Sequence, residues 1–127
     1  MTALLETAAR ACDRYGFAGV RCSTRPDAVD SERLDLLKAH RVTAVELGAQ
    51  SMDDDVLRLN RRGHTARDVE NAAALLRAYG FELGLQMMTG LPGDTDEKAV
   101  ETARALLRLR PDTMRIYPTV VLENTAL

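Results

Sequence analysis

The chain has 127 residues, 46% of them hydrophobic, a mean hydropathy of -0.21 and a formal net charge of -2. These values are typical of a soluble protein of one domain, residues 1–127, and they provide no broad electrostatic attraction to nucleic acid. No apolar run approaches the roughly 20 residues that span a bilayer, and the start lacks the order of a signal peptide, so we expect no membrane association.

In the first half of the chain, helical and strand patterns alternate. Apolar residues at helical spacing predict a first helix that ends at Gly16, and a strand follows over about 18–23. Asp30 or Ser31 is placed to cap a second helix, which precedes a buried strand over 42–48. The cysteines, Cys12 and Cys22, form neither a disulfide framework nor a close metal-ligand pair, which favours a reducing, cytoplasmic setting.

The second half repeats the alternation. Three pairs have the spacing of a capping box and predict helix starts: Ser51 with Asp54, Thr65 with Asp68, and Asp94 with Glu97. Strands are predicted over 81–88 and 113–118. Strands that alternate with helices predict parallel strands joined by crossovers.

The two faces of these strands differ in polarity, which bears on the architecture. One face is apolar, and the other carries polar residues on all four strands: Arg21, Ser23, Arg25, Glu46, Gly48, Gln50, Glu82, Gln86, Met88, Arg115 and Tyr117. A doubly wound sheet needs strands that are apolar on both faces. We therefore predict an α/β fold: a partial, TIM-like (β/α) barrel arc of about four parallel strands with outer helices and Glu46, Gln50, Gln86 and Arg115 on its concave face.

The segment Gly84-Leu-Gln-Met-Met-Thr-Gly-Leu-Pro-Gly-Asp-Thr95 runs from a strand through a sharp turn to a helix start. Loops of this kind place ligand-binding groups at the carboxyl ends of parallel strands. The segment therefore predicts a binding site at this edge. Neither His40 nor His64 has a helical metal-ligand partner, so we predict no metal ligand.

Five segments occur in the order and spacing of one known family: Cys22-Ser-Thr-Arg-Pro-Asp27, Val45-Glu-Leu-Gly-Ala-Gln-Ser51, Arg62-Gly-His-Thr65, Gly84 to Thr95, and Arg115-Ile-Tyr-Pro-Thr-Val-Val121. From roughly Phe17 to its last residue the chain resembles the radical S-adenosylmethionine (radical SAM) enzymes. Within them it is similar to the catalytic subunit of Elongator and, more distantly, to oxygen-independent coproporphyrinogen III oxidase. By this resemblance it covers the third to sixth βα units of a six-unit barrel.

The resemblance implies S-adenosylmethionine and a 4Fe-4S cluster as cofactors, and generation of a 5′-deoxyadenosyl radical. The family's Cys-x-x-x-Cys-x-x-Cys loop has no match here, so we expect the cluster ligands to lie outside this chain and the chain alone to be inactive. Elongator-type enzymes modify wobble uridine, which makes tRNA a candidate substrate. A missing N-terminal half of the barrel is the expected partner, with self-association through the first strand as the other option.

The resemblance also assigns cofactor-binding positions. Ser23 matches a position where related enzymes often hold a ribose-binding Glu, and Gln50 matches a polar contact. Arg62 matches an Arg that faces the methionine carboxylate, and Gln86 a ribose contact. The remaining candidates are Met88, near adenine, and two residues that equally suit an ion-pair network, Glu46 and Arg25. No catalytic residue is assigned.

Two alternatives remain open. One is a non-catalytic module that binds a nucleoside, or a fragment that acts only when its other half complements it. The other is a cluster-independent βα enzyme that uses the same polar face.

Overall fold

A computed structural model of the chain describes residues 2–121 and residue 123. Met1, Leu122 and residues 124–127 lie outside the described part, and with them the last positions of the expected resemblance. The described residues form helices and strands in this order: α1 Thr2–Tyr15, β1 Val20–Thr24, a short 3-10 helix Pro26–Ala28, α2 Ser31–Ala39, β2 Val42–Gln50, α3 Asp54–Leu59, α4 Ala66–Ala78, β3 Glu82–Thr89, α5 Asp96–Arg108 and β4 Thr113–Pro118.

The strands form one parallel sheet in the order β1-β2-β3-β4. This confirms the α/β arc of four parallel strands. The predicted bounds of β4 are correct, while β2 continues two residues beyond the predicted end, to Gln50. None of the helices among the described residues has the length and apolar character needed to cross a bilayer.

The helices pack on one face of the sheet. Strand residues such as Val45, Leu83 and Leu85 are fully buried there against residues of α1, α2, α4 and α5. Burial of a Val or Leu side chain contributes about 1.5–3 kcal/mol. The opposite face, which we call the polar face, carries Ala44, Glu46 and Gly48 of β2 and the even-numbered residues of β3.

Side-chain caps set the helix starts. Asp30 and Thr65 cap α2 and α4 as predicted, and Thr65 with Asp68 forms the complete capping box. The other two assignments were wrong. Asp53, rather than Ser51, caps α3, and Thr95, rather than Asp94, caps α5.

Ser51 and Asp94, which do not cap these helices, make hydrogen bonds to other groups. The side chain of Asp94 accepts a hydrogen bond from the Gly90 amide at 3.2 Å, which holds the turn after β3. The hydroxyl of Ser51 is buried, accepts from the Asp53 amide and lies 3.3 Å from the Thr102 hydroxyl. A polar residue next to a helix start can serve the loop instead of the helix, and sequence spacing does not distinguish the two uses.

Candidate functional site

Two ion pairs cross the polar face, and each skips a strand. Arg21 on β1 pairs with Glu82 on β3, and the residue between them on β2 is Ala44. Arg21 also donates to the hydroxyl of Thr113 on β4 at 3.1 Å. Adjacent strands lie about 4.8 Å apart, so contact between every second strand needs long side chains and a small residue in the middle.

The second pair joins Glu46 on β2 to Arg115 on β4. Arg115 Nε lies 3.1 Å from Glu46 Oε1, although its N–H is not aligned for a hydrogen bond with that oxygen. The Glu46 side chain is only 2% exposed, whereas that of Arg115 is 49% exposed. Hydrogen bonding to Tyr117 and the charge of Glu46 raise the pKa of Arg115 above its ordinary value.

Gly84 makes this pair possible. Gly84 lies beside Glu46 in the strand register, and a Cβ built on it would be 2.9 Å from Glu46 Cγ and 3.1 Å from the Thr113 hydroxyl. A side chain at position 84 would therefore occupy the space through which Glu46 reaches Arg115. Ser23, which is exposed, is the neighbour of Glu46 on the other side.

Gln50 ends β2 in an uncommon backbone conformation. Its φ is 66°, and the strand register shifts between Gly48 and Gln50. The side-chain amide folds back over Gly48, where an added Cβ would lie 2.7 Å from Nε2. Gly48 is the register neighbour of Gln86. The structure therefore brings Gln50 and Gln86 to the same part of the polar face.

Arg62 and Met88 line a cleft of about 510 Å³ at the carboxyl end of β3. The remaining lining residues come from the end of α3 and from the β3–α5 loop: Leu59, Asn60, Arg61, Leu91 and Pro92. The Asn60 side chain donates to the Pro92 carbonyl at 2.9 Å and ties the two walls together. Arg62 Nε is buried and has no hydrogen-bond partner within the part of the chain that the structure describes.

Arg25 lies outside the strand-skipping pairs. Its guanidinium makes two hydrogen bonds to Asp27, at 2.9 and 2.7 Å, and covers Gly63. These hydrogen bonds lower the pKa of the Asp27 carboxyl. Arg25 thus pairs with a residue that follows β1 instead of with a residue of another strand, and its role as a cofactor contact stays a prediction.

Two residues of this region were absent from the predicted site. Arg115 was assigned to the polar face and turns out to be the partner of Glu46. His64 is 6% exposed, and its Nε2 lies 3.1 Å from the Ala49 carbonyl oxygen. Its place between Arg62 and the helix cap Thr65 is the sequence signal that indicates a fixed position near the site.

The described residues contain no group of three or more His, Cys, Asp or Glu side chains that could hold a metal ion. Cys12 is buried in α1, and Cys22 lies on the apolar side of β1, where burial raises the pKa of its thiol. The cysteines therefore do not face the polar surface.

Residues 2–106 match the model of the Radical SAM superfamily. The chain belongs to this superfamily. This radical SAM chain is 38% identical over 125 residues to the tRNA uridine(34) acetyltransferase of Dehalococcoides mccartyi (strain CBDB1), an alignment that covers 96% of the chain and 26% of the relative. It is 34% identical over 112 residues to Elongator complex protein 3 of Saccharomyces cerevisiae, with 86% of the chain and 20% of that relative covered.

Two solved structures have the same fold. The archaeal Methanocaldococcus infernus Elp3 with an N-terminal deletion superposes with a TM-score of 0.80 at 31% identity, over 85% of this chain and 26% of that one. Coproporphyrinogen III oxidase (HemN) from Escherichia coli gives 0.79 at 20% identity, over 96% and 29%. The chain thus spans about a quarter of the length of these relatives.

Proposed function

We propose that residues 1–127 form one unit, the third to sixth βα units of a radical SAM barrel, which binds S-adenosylmethionine and faces the substrate. The observation that supports this most is Arg62 Nε, a buried atom that has no hydrogen-bond partner among the described residues and belongs to a residue that lines the cleft at the carboxyl end of β3. Buried polar atoms usually have hydrogen-bond partners, so unpaired ones in a cleft point to a ligand.

The side chains suit the chemical groups of S-adenosylmethionine. The Arg62 guanidinium has donors for a carboxylate, and bidentate pairing of this kind is strong. Gln50, Gln86 and Ser23 offer amide and hydroxyl groups for ribose hydroxyls, and Met88 provides an apolar contact for the adenine. When bound and reduced, S-adenosylmethionine supplies a carbon-centred radical that abstracts hydrogen. The protein's part is to hold the cofactor and exclude water.

The residues of this chain do not suit a 4Fe-4S cluster. Such clusters are held by cysteine thiolates, and here one cysteine is buried in α1 and the other packs against the hydrophobic core from β1. We therefore propose that the cluster ligands belong to a separate N-terminal part of the barrel. The cysteine count favours one second candidate, a nucleoside-binding module without radical chemistry.

We further propose tRNA as the substrate of the assembled enzyme, in a cytoplasmic setting. Two observations support it: relatives at 38% and 34% identity are named tRNA uridine(34) acetyltransferase and Elongator complex protein 3. The formal charge of -2 gives this chain no broad attraction to RNA. Most of the RNA-binding energy would then come from other parts of the assembled enzyme.

The test is calorimetric titration of S-adenosylmethionine into a fusion protein in which this chain replaces the 26% of the Dehalococcoides mccartyi relative that it matches. Replacement of Arg62 by Ala should weaken binding by about 1.5–3 kcal/mol, the value of a hydrogen bond to a charged group. The matched control is Arg58→Ala, which removes an exposed arginine of α3 that pairs with Asp55. Equal affinities in the two variants would return Arg62 to an ordinary surface role.

A further inference from the structure

The backbone at Gln50 forms a strained three-residue turn. The Ser51 amide donates to the Ala49 carbonyl at 2.8 Å, and the residue between them has a φ of 66°. This is the geometry of a γ-turn with positive φ, which is rare and strained in proteins. Strain of this kind persists only where the surroundings impose it, and it concentrates at functional sites.

His64 supplies a second donor to the same carbonyl. Its Nε2 lies 3.1 Å from the Ala49 oxygen, and both residues are buried. A carbonyl oxygen only accepts hydrogen bonds, so Nε2 must carry the proton. The other ring nitrogen, Nδ1, is buried and has no hydrogen-bond partner among residues 2–121 and 123. The histidine therefore makes its one protein hydrogen bond to the oxygen that closes the turn.

The turn decides where the Gln50 side chain lies. Because of the turn and the register shift, the amide of Gln50 folds over Gly48 instead of continuing along the strand. The residue is 7% exposed. The turn therefore determines which part of the polar face the Gln50 amide presents to a ligand.

The connection between α3 and α4 holds the histidine itself in place. The Arg62 amide donates to the Leu57 carbonyl at 3.0 Å, Gly63 has a φ of 76°, and Thr65 begins the capping box of α4. The hydrogen bond from His64 to Ala49 thus links the segment that carries Arg62 to the end of the strand that carries Gln50.

We propose that His64 is a positioning residue, which holds the Ala49 carbonyl and thereby fixes the Gln50 amide in register with Arg62 for the nucleoside ligand. The inference rests on the proposed function for the identity of the ligand. It assigns a role to His64 that its lack of metal-ligand partners left open.

The test uses the 127-residue chain and a matched pair of variants. His64→Gln keeps an amide donor at nearly the reach of Nε2, whereas His64→Met has a similar length and no donor. In His64→Met, hydrogen exchange of the Ser51 amide should accelerate by roughly two- to tenfold, as expected for the loss of one hydrogen bond. His64→Gln should restore most of this protection. A purely structural role would change the Ser51 amide and the amides of β3 by the same factor, or leave His64→Gln as impaired as His64→Met, and either result would overturn the proposal.

One measurement on the unchanged chain keeps the test independent of whether the variants fold. Long-range nitrogen NMR should find the His64 tautomer with the proton on Nε2, and a proton on Nδ1 alone would refute the proposal. In the fusion protein, titration with S-adenosylhomocysteine should give weaker binding to His64→Met than to His64→Gln. Failure of the unchanged fusion protein to bind would count against the proposed function, and the exchange and tautomer results would then decide the role of His64.

Discussion

At the scale of single residues, the missing Cβ atoms of Gly48 and Gly84 leave room for different neighbours. At Gly84 the space is filled by the Glu46 side-chain stem and the Thr113 hydroxyl, groups fixed close to the backbone. At Gly48 it is filled by the terminal amide of Gln50, the far end of a long side chain that an added methyl group would displace. Gly84 is therefore important for packing, and Gly48 is important for the position of the Gln50 amide.

Replacement of each glycine by Ala should separate these roles. Gly84→Ala should lower the free energy of unfolding by about 1–3 kcal/mol, because the added methyl group would overpack the space beside Glu46 and Thr113. Gly48→Ala should leave stability nearly unchanged, since the smaller entropy of the unfolded chain offsets a minor shift of Gln50. It should instead weaken S-adenosylhomocysteine binding. Urea unfolding and calorimetry measure the two effects, and equal losses of stability would contradict this explanation.

At the scale of elements, the α4 cap depends on a charged group. Oδ2 of Asp68 accepts from the amide and the hydroxyl of Thr65, both at 2.7 Å. These hydrogen bonds lower the pKa of Asp68 in the folded chain. Since the unfolded value is about 3.9, their stabilisation is present above that pH and is lost as the pH falls through the lower, folded value.

The cap variants should therefore differ in pH dependence. Thr65→Ala should cost about 1 kcal/mol of stability at pH 7, the usual value of a helix cap. Asp68→Asn should reduce the loss of stability between neutral and acid pH, since it removes one group that binds a proton on unfolding. Urea unfolding at a series of pH values provides the measurement, with Glu70→Gln, an exposed carboxylate of the same helix, as the control. If Asp68→Asn and Glu70→Gln lost the same amount of stability between neutral and acid pH, the assigned role of Asp68 would be contradicted.

The elements show which features follow from sequence. Alternation of polar and apolar residues determined the strands and the face of Glu46, Gln86 and Arg115, because side-chain direction repeats every two residues. Pairing across strands could not be read in this way. Glu46 meets Arg115 only because position 84 lacks a side chain, and Gln50 reaches its place through a register shift that is not apparent in the alternation.

The helix caps likewise divide into those that sequence spacing predicts and those that it does not. Thr65 was predicted correctly because its reciprocal partner has the right spacing, while Asp53 competed with Ser51 and Thr95 with Asp94 at neighbouring positions. The binding roles of Ser23, Arg25, Glu46, Gln50, Arg62, Gln86 and Met88 stay predictions.

At the scale of the whole molecule, the chain alone should not assemble a 4Fe-4S cluster or cleave S-adenosylmethionine. The reason is the number and place of its thiols: the chain has two cysteines, of which Cys12 is buried in α1 and Cys22 packs against the hydrophobic core from β1. Anaerobic reconstitution followed by iron and sulfide analysis tests this, with the fusion protein described above as the positive control. A stoichiometric cluster together with 5′-deoxyadenosine from the chain alone would refute it.

The chain alone should also self-associate through β1. Within the described residues β1 is paired only with β2, which leaves one row of its backbone groups without strand partners. Helix α1 packs on the face of the sheet, and a helix cannot satisfy such a row as a strand would. Sedimentation over a concentration series should find association that the added N-terminal units relieve. A monomer at all concentrations would show that the edge is protected.

Through the strand-skipping ion pairs, β1 is coupled to β3 and β2 is coupled to β4, although neither of these two pairs of strands shares a backbone hydrogen bond. Ala44 and Gly84 contribute to these pairs only by being small, so their effect on stability is exerted through charges on the strands to either side. During evolution, a larger residue at either position would be tolerated only together with the loss or relocation of the flanking charges. Covariation in this region should therefore connect positions two strands apart, with the residue between them acting as a limit on size.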